Sequence, residues 1–218
     1  MENYKHFIIV IAMIFIIRLV FALFSNHKVK KVGKAGEKKL IKILKSCKTG
    51  NDYAAGNLYI PVANDNITEL DGLFINEIGI FVFEAKNYTG TIYGNDLSHD
   101  WSKTMFTKNG TEKKTFYNPI MQNSGHVRAV KNAIDLSNTP VFNVVAFADS
   151  ADITKVETNS PYTYVVNYKE IPSLLRNTGT PAISRKEIKR LKNEFKRFKK
   201  VKKSTLRKHI KDVKSKES

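Results

Sequence analysis

Asp71, Glu84 and Lys86 are the residues whose types and spacing are best suited to act together. They lie in two stretches rich in β-branched and aromatic residues, Glu69-Leu70-Asp71-Gly72-Leu73-Phe74-Ile75 and Gly79-Ile80-Phe81-Val82-Phe83-Glu84-Ala85-Lys86-Asn87, which both read as β-strands. Strand side chains alternate, so Glu84 and Lys86 share a face at the end of an apolar run, where a lone charge would be expensive. If Glu77-Ile78 is a two-residue hairpin loop, Asn76 pairs with Gly79 and Asp71 falls opposite Glu84, with Cβ atoms roughly 5 Å apart. Facing carboxylates repel. A divalent cation between them removes that penalty, and Mg²⁺ favours one or two carboxylates completed by waters and a substrate phosphate oxygen. Such an ion acidifies a bound water and screens the phosphate, while Lys86 can hold the nucleophile or meet developing charge, which suits phosphodiester cleavage. A bulge at Gly79 would instead shift the register by one and turn Asp71 to the other face.

Two flanking segments must position these groups. Upstream, Gly33-Lys34-Ala35-Gly36-Glu37 opens a helical pattern that runs from Ala35 to Ser46; downstream, Asn118-Pro119-Ile120-Met121-Gln122 opens a second, from Pro119 to about Leu136. Asp71 followed by Glu84-Ala85-Lys86, with these segments in this order, resembles the PD-(D/E)XK nuclease superfamily and, more closely, the nuclease-related domain family, NERD. The resemblance covers roughly Gly33 to Asp149. Leu70 stands where the superfamily's name has Pro, a loose position. The resemblance implies an α/β, restriction-endonuclease-like mixed sheet flanked by helices and a nuclease dependent on Mg²⁺ or Mn²⁺. Asp71 and Glu84 would be metal ligands, with the Ala85 carbonyl completing the coordination. Glu37 would orient the attacking water or serve as general base, and Lys86 and Gln122 would position nucleophile and scissile phosphate. The implied partner is nucleic acid, DNA being the expected one. A second reading keeps the fold without catalysis, as a tethered module binding nucleic acid or anionic lipid.

Each element also has a purely structural use. Glu84 and Lys86 could form a same-face salt bridge, worth at most about 1 kcal/mol if exposed. Glu37 could complement a helix dipole, and Asn118 with Pro119 makes a good N-cap and first helical residue. Gln122 then sits in the first turn, and Asp71-Gly72 could be turn chemistry.

Composition excludes several classes. The chain has 218 residues and 42% hydrophobic content, enough for one domain of about 150 residues with appendages. Cys47 is the single cysteine, which rules out an intramolecular disulfide, and His6, His27, His99, His126 and His209 show no zinc spacing. There is no G-x-x-x-x-G-K-[ST] loop and no G-x-G-x-x-G fingerprint, against NTPase or dinucleotide chemistry. Ser124, His126 and Asp135 suggest a hydrolase triad, but no nucleophile elbow supports it.

Three regions are expected: an anchor over 1–27, a nuclease-like domain over 28–180, and a basic helix and tail over 181–218. Phe7 to Phe24 is an 18-residue run interrupted only by Arg18, long enough to span a bilayer. Lys28, Lys30, Lys31 and Lys34 follow it, so the positive-inside bias predicts a single-pass protein of the cell membrane with its carboxyl-terminal domain in the cytoplasm. Within the middle region, strands are expected over Asn57–Val62, Thr68–Ile75, Ile80–Lys86, Gly90–Tyr93, Val141–Ala148 and Tyr162–Val166, with a hairpin at Asn109-Gly110. From Arg185 on there are 16 Lys or Arg against 4 Asp or Glu, so this segment supplies +12 of the formal +17. Ile188, Leu191, Phe195 and Phe198 recur at helical spacing, predicting an amphipathic helix that docks on the core, binds phosphate backbone or lies on anionic lipid. Lys202 to Ser218 is expected to be frayed or disordered. Tyr88, Tyr93, Trp101 and Phe106 could stack on bases, although core packing is the commoner use of such residues.

Overall fold

The computed structural model describes residues 31–63, 66–108 and 110–199. The apolar run Phe7–Phe24 and the tail beyond 199 lie outside the described residues, so the expected anchor and frayed tail do too; no described helix is long and apolar enough to cross a membrane. The chain divides into two compact units, 1–35 and 36–218. Residues 31–35 of the first are helical.

The second unit is a mixed α/β arrangement built on a five-stranded sheet, ordered β1 (Tyr53–Ala55), β4 (Gly72–Ile75), β5 (Ile80–Lys86), β9 (Val141–Phe147) and β11 (Thr163–Asn167). β1, β4 and β5 run antiparallel in turn, whereas β5, β9 and β11 are parallel. A second sheet has the order β10 (Ala151–Glu157), β6 (Gly90–Asn95), β7 (Asp100–Thr107) and β8 (Gly110–Tyr117), and β2 (Leu58–Val62) pairs with β3 (Asn66–Leu70). Helices cover both faces of the main sheet.

Alternation along β5 separates the two cores. Ile80 and Val82 point to one face, packed with Val130 and Ile134 from α2 (Pro119–Ala133) and its end, and with Ile188, Leu191 and Phe195 of α4 (Arg185–Arg197). Phe81 and Phe83 point to the other, with Leu40 and Leu44 of α1 (residues 36–46) and Ile171 and Leu175 of α3 (Ile171–Asn177). The apolar stripe of α4 is thus committed to the core.

Three expectations need correction. The single strand over Thr68–Ile75 is two strands in different sheets, broken by a bend at Asp71. Just beyond the break, a Cβ at Gly72 would lie 3.0 Å from both Leu40 Cδ2 and Leu44 Cδ1, so glycine lets α1 pack closely there. The second helix stops at Ala133, not Leu136, because Ile134 turns to extended backbone (φ −137°, ψ 136°). The strand expected over Gly90–Tyr93 runs on to Asn95, whereas β9 is buried throughout as expected, with Asn143 inside it bonded to α2.

Candidate active site

The β4–β5 turn sets the register on which everything else depends. Ile75 pairs with Ile80 and Gly72 with Phe83, and the Asn76 amide donates to the Gly79 carbonyl at 3.1 Å. No bulge intervenes, and continuing the ladder by one residue brings Asp71 opposite Glu84. At that point the chain bends away toward β3, and the Asp71 Oδ2 accepts the Ala85 amide at 2.9 Å in place of a ladder partner. The same residue that could ligate a cation therefore also closes the end of the sheet.

Glu84 is 4% exposed. A buried carboxylate must be paired, and its two oxygens are held separately: Lys86 Nζ donates to Oε1 at 2.8 Å, and His126 Nε2 lies 3.3 Å from Oε2. Lys86 also donates to Gln122 Oε1 at 2.9 Å, and the other ring nitrogen of His126 is 2.8 Å from the Thr68 hydroxyl. Gln122 and His126 are four residues apart on α2 and so occupy one face of it. The site lies where the end of β5 meets α2 and β3.

The electrostatics follow from this geometry. Burial and the facing Glu84 charge push Asp71 well above the ordinary carboxylate range, despite the Ala85 amide and Lys86, with Glu37 adding to the rise. Burial also pushes Glu84 up, but Lys86 and His126 more than offset it and hold its carboxyl below the usual value. Burial pushes Lys86 down, and Glu84 outweighs that, so its ammonium is held above its usual value. Tyr59 is pushed up to about 12 by burial and by the charges of Glu69 and Glu37. Tyr168 is raised further, by burial and then by Asp71, Asp149 and Glu37. One Lys faces an excess of carboxylate around Asp71, and the excess is concentrated where a cation would relieve it.

The helices are locked against the sheet by buried polar contacts. Asn118 is fully buried; its side-chain oxygen caps α2 at the Ile120 amide, 2.8 Å away, while its Nδ2 donates to the carbonyls of Asn95 and Ser98. Asn123 donates to the Val82 and Val144 carbonyls and to Asn143 Oδ1, tying α2 across β5 and β9. These contacts fix where Gln122 and His126 point. On the other face, a Cβ at Gly36 would lie 2.7 Å from Asn87 Cβ and 3.0 Å from the Tyr168 hydroxyl, so glycine is what admits the start of α1 beside the end of β5. Glu37 is carried there.

Of the sequence-predicted residues, Glu84, Lys86 and Gln122 form one hydrogen-bonded chain, Asp71 faces Glu84, and Glu37 joins them through its field on Asp71. Ala85 presents its amide to Asp71. Among the described residues no three His, Cys, Asp or Glu side chains gather closely enough to enclose a metal ion. Two carboxylates, Asp71 and Glu84, are the donors this site would offer to an ion such as Mg²⁺. Thr68 and His126 were not legible as members of the site; the signal available was the four-residue spacing of Gln122 and His126 on a helix. The hydrolase triad is not formed: Ser124 Oγ donates to the Ile120 carbonyl, Asp135 caps the Ser137 amide, and His126 bonds Glu84 and Thr68.

A mixed sheet whose paired central strands carry facing carboxylates and a lysine, with a helical glutamine against that lysine, defines a protein of the PD-(D/E)XK-like nuclease class. The chain belongs to the nuclease-related domain family, whose model matches residues 32–148. It is also similar to an uncharacterised protein of Bacillus anthracis, 27% identical over 187 residues that span 86% of each chain. No solved structure matches it.

Proposed function

We propose that the protein is a metal-dependent nuclease with a restriction-endonuclease-like core, hydrolysing phosphodiester bonds of nucleic acid, DNA being the expected substrate. The observation that carries this reading is the buried Glu84, facing Asp71 and bonded to a lysine that is itself held by Gln122. Asp71 and Glu84 would hold Mg²⁺ or Mn²⁺ with the Ala85 carbonyl. When bound, the ion would supply an acidified water and screening of phosphate charge.

The chain's own groups do the rest. Lys86, aimed by Glu84 and Gln122, is kept protonated and can turn its remaining N–H toward a phosphate oxygen as charge develops there. Glu37, carried in by α1, can take the proton of the attacking water or orient it. His126 holds Glu84 from behind while Thr68 fixes the ring, an arrangement of the kind that orients a metal-ligating carboxylate. The apolar run Phe7–Phe24 and the lysines after it support tethering of this domain at the cytoplasmic face of the cell membrane.

One observation favours the non-catalytic reading: both Glu84 oxygens are already engaged by Lys86 and His126, so the charge is satisfied without a cation. A single assay separates the two. The purified chain, given duplex and single-stranded DNA with Mg²⁺ or Mn²⁺, should cleave and should stop in EDTA. Glu84→Gln and Lys86→Met should bind without cleaving. Cleavage persisting in both variants would refute the assignment of the site, and salt-sensitive binding with no turnover in either metal would establish the binding module.

A further inference from the structure

The β7–β8 hairpin carries two lysines on the face that packs against Tyr88, just beyond the end of β5. Lys103 and Lys114 are directly opposite one another across the two strands. Like charges so placed destabilise a sheet; the Glu112 carboxylate lies 2.9 Å from Lys114 and also acts on Lys103. Trp101 and Phe116, the next pair on that face, pack with Tyr88, whose ring meets Phe116 edge-on at 4.9 Å. Lys103 Nζ sits 4.2 Å from the centre of the Tyr88 ring. Tyr88 is only two residues beyond Lys86 and close enough for its hydroxyl to influence that ammonium. Lys86, Tyr88, Lys103 and Lys114 therefore form a continuous line from the site onto the hairpin. Burial, and after it the neighbouring Lys114, hold Lys103 below its usual value, with Glu112 pulling the other way. Nearer the tip, Phe106 is 91% exposed, on the other face of the ribbon with Thr104, which is paired with Lys113. Closely set cations on a two-stranded ribbon match a polyanion whose charges repeat along a strand.

We infer that this hairpin is the track that carries the sugar–phosphate backbone of nucleic acid to the site, with Lys103 and Lys114 each contacting a phosphate. The inference rests on the nuclease reading for the location of the site, but its test does not need turnover. Lysines on an edge strand such as β8 also discourage edge-to-edge pairing; that role needs no phosphate and gives a different result.

The test is fluorescence anisotropy of a labelled 20-base-pair DNA duplex with the full chain in EDTA, over a range of KCl. The double variant Lys103→Ala/Lys114→Ala should lower the slope of log affinity against log salt by about 2, from about 0.9 per phosphate contact. Lys48→Ala/Lys131→Ala, two exposed lysines off the hairpin, should leave it unchanged. Circular dichroism and melting confirm that each variant is folded. An unchanged slope in the hairpin variant overturns the inference, as does a loss no greater than in the control pair. Loss of binding to phosphatidylserine vesicles with the DNA slope intact overturns it too, in favour of a lipid surface. If no nucleic acid is cleaved in Mg²⁺ but the slope falls as stated, the track stands and the catalytic reading fails.

Discussion

Replacing Asp71 by Asn should make the metal-free protein more stable while removing a group the proposed chemistry needs. Asn keeps an oxygen to accept the Ala85 amide, so the substitution removes the charge and leaves the bend at Asp71 closed. Two carboxylates at an ideal cross-strand separation of about 5 Å would repel by roughly 3 kcal/mol at an effective dielectric constant of 20. Lys86, bonded to Glu84 and felt by Asp71, returns part of this, and desolvation adds to what remains. A net gain of about 1–2 kcal/mol is expected, within the range seen when a functional site is relieved. At 2–4 °C per kcal/mol for a unit of this size, that is a rise of about 2–8 °C in Tm. The folded-state pKa of Asp71 lies above its unfolded value near 3.9, so the native state binds more protons between the two. Stability is therefore lost as pH rises through the folded pKa, and the advantage of Asn is largest above it. Thermal unfolding in EDTA should show the variant melting higher at alkaline pH, with the gap closing as pH falls toward the unfolded value near 3.9. A variant that melts lower at alkaline pH, or a gap indifferent to pH, would count against a shared charge at this site.

Other consequences follow from the same contacts. Glu84→Ala should cost about 3–5 kcal/mol in denaturant unfolding because it strands a buried Lys86, whereas Glu84→Gln should cost less. His126→Ala should lower metal-dependent cleavage by about 10–100-fold by freeing Glu84, and Thr68→Val should do so to a smaller degree, both read from steady-state rates. Asn118→Ala should cost about 2–3 kcal/mol in the same unfolding assay, since it removes a helix cap and leaves two buried carbonyls unmet.

Much of the site was readable because it depends on local rules. A two-residue loop fixes the register of β4 on β5, and the alternation of side chains then determines that Asp71 meets Glu84 and that Lys86 shares the face of Glu84. The N-cap at Asn118 likewise announces where α2 starts, and the spacing of Ile188, Leu191 and Phe195 announces a buried stripe. What was hidden depends on partners distant in the chain. Just after the break at Asp71, Gly72 packs against Leu40 and Leu44, more than twenty-five residues away in the chain. β1 is three residues long, and β10 carries charged residues on an exposed surface, so neither has the apolar run that marks a strand. Asn143 and Asn123 look like interruptions of apolar patterns until the helix and sheet meet through them. His126 reads in sequence as a neighbour of Ser124 and Asp135 because its actual partners, Thr68 and Glu84, lie on two different strands.

The most direct measurement is cleavage of duplex DNA in Mg²⁺ by the parent chain and by Asp71→Asn, each at a temperature well below melting. The account predicts a parent that cleaves and a variant that is folded, more heat-resistant in EDTA and inactive. A variant that cleaves as fast as the parent would contradict it, because the two facing carboxylates would then have no shared task.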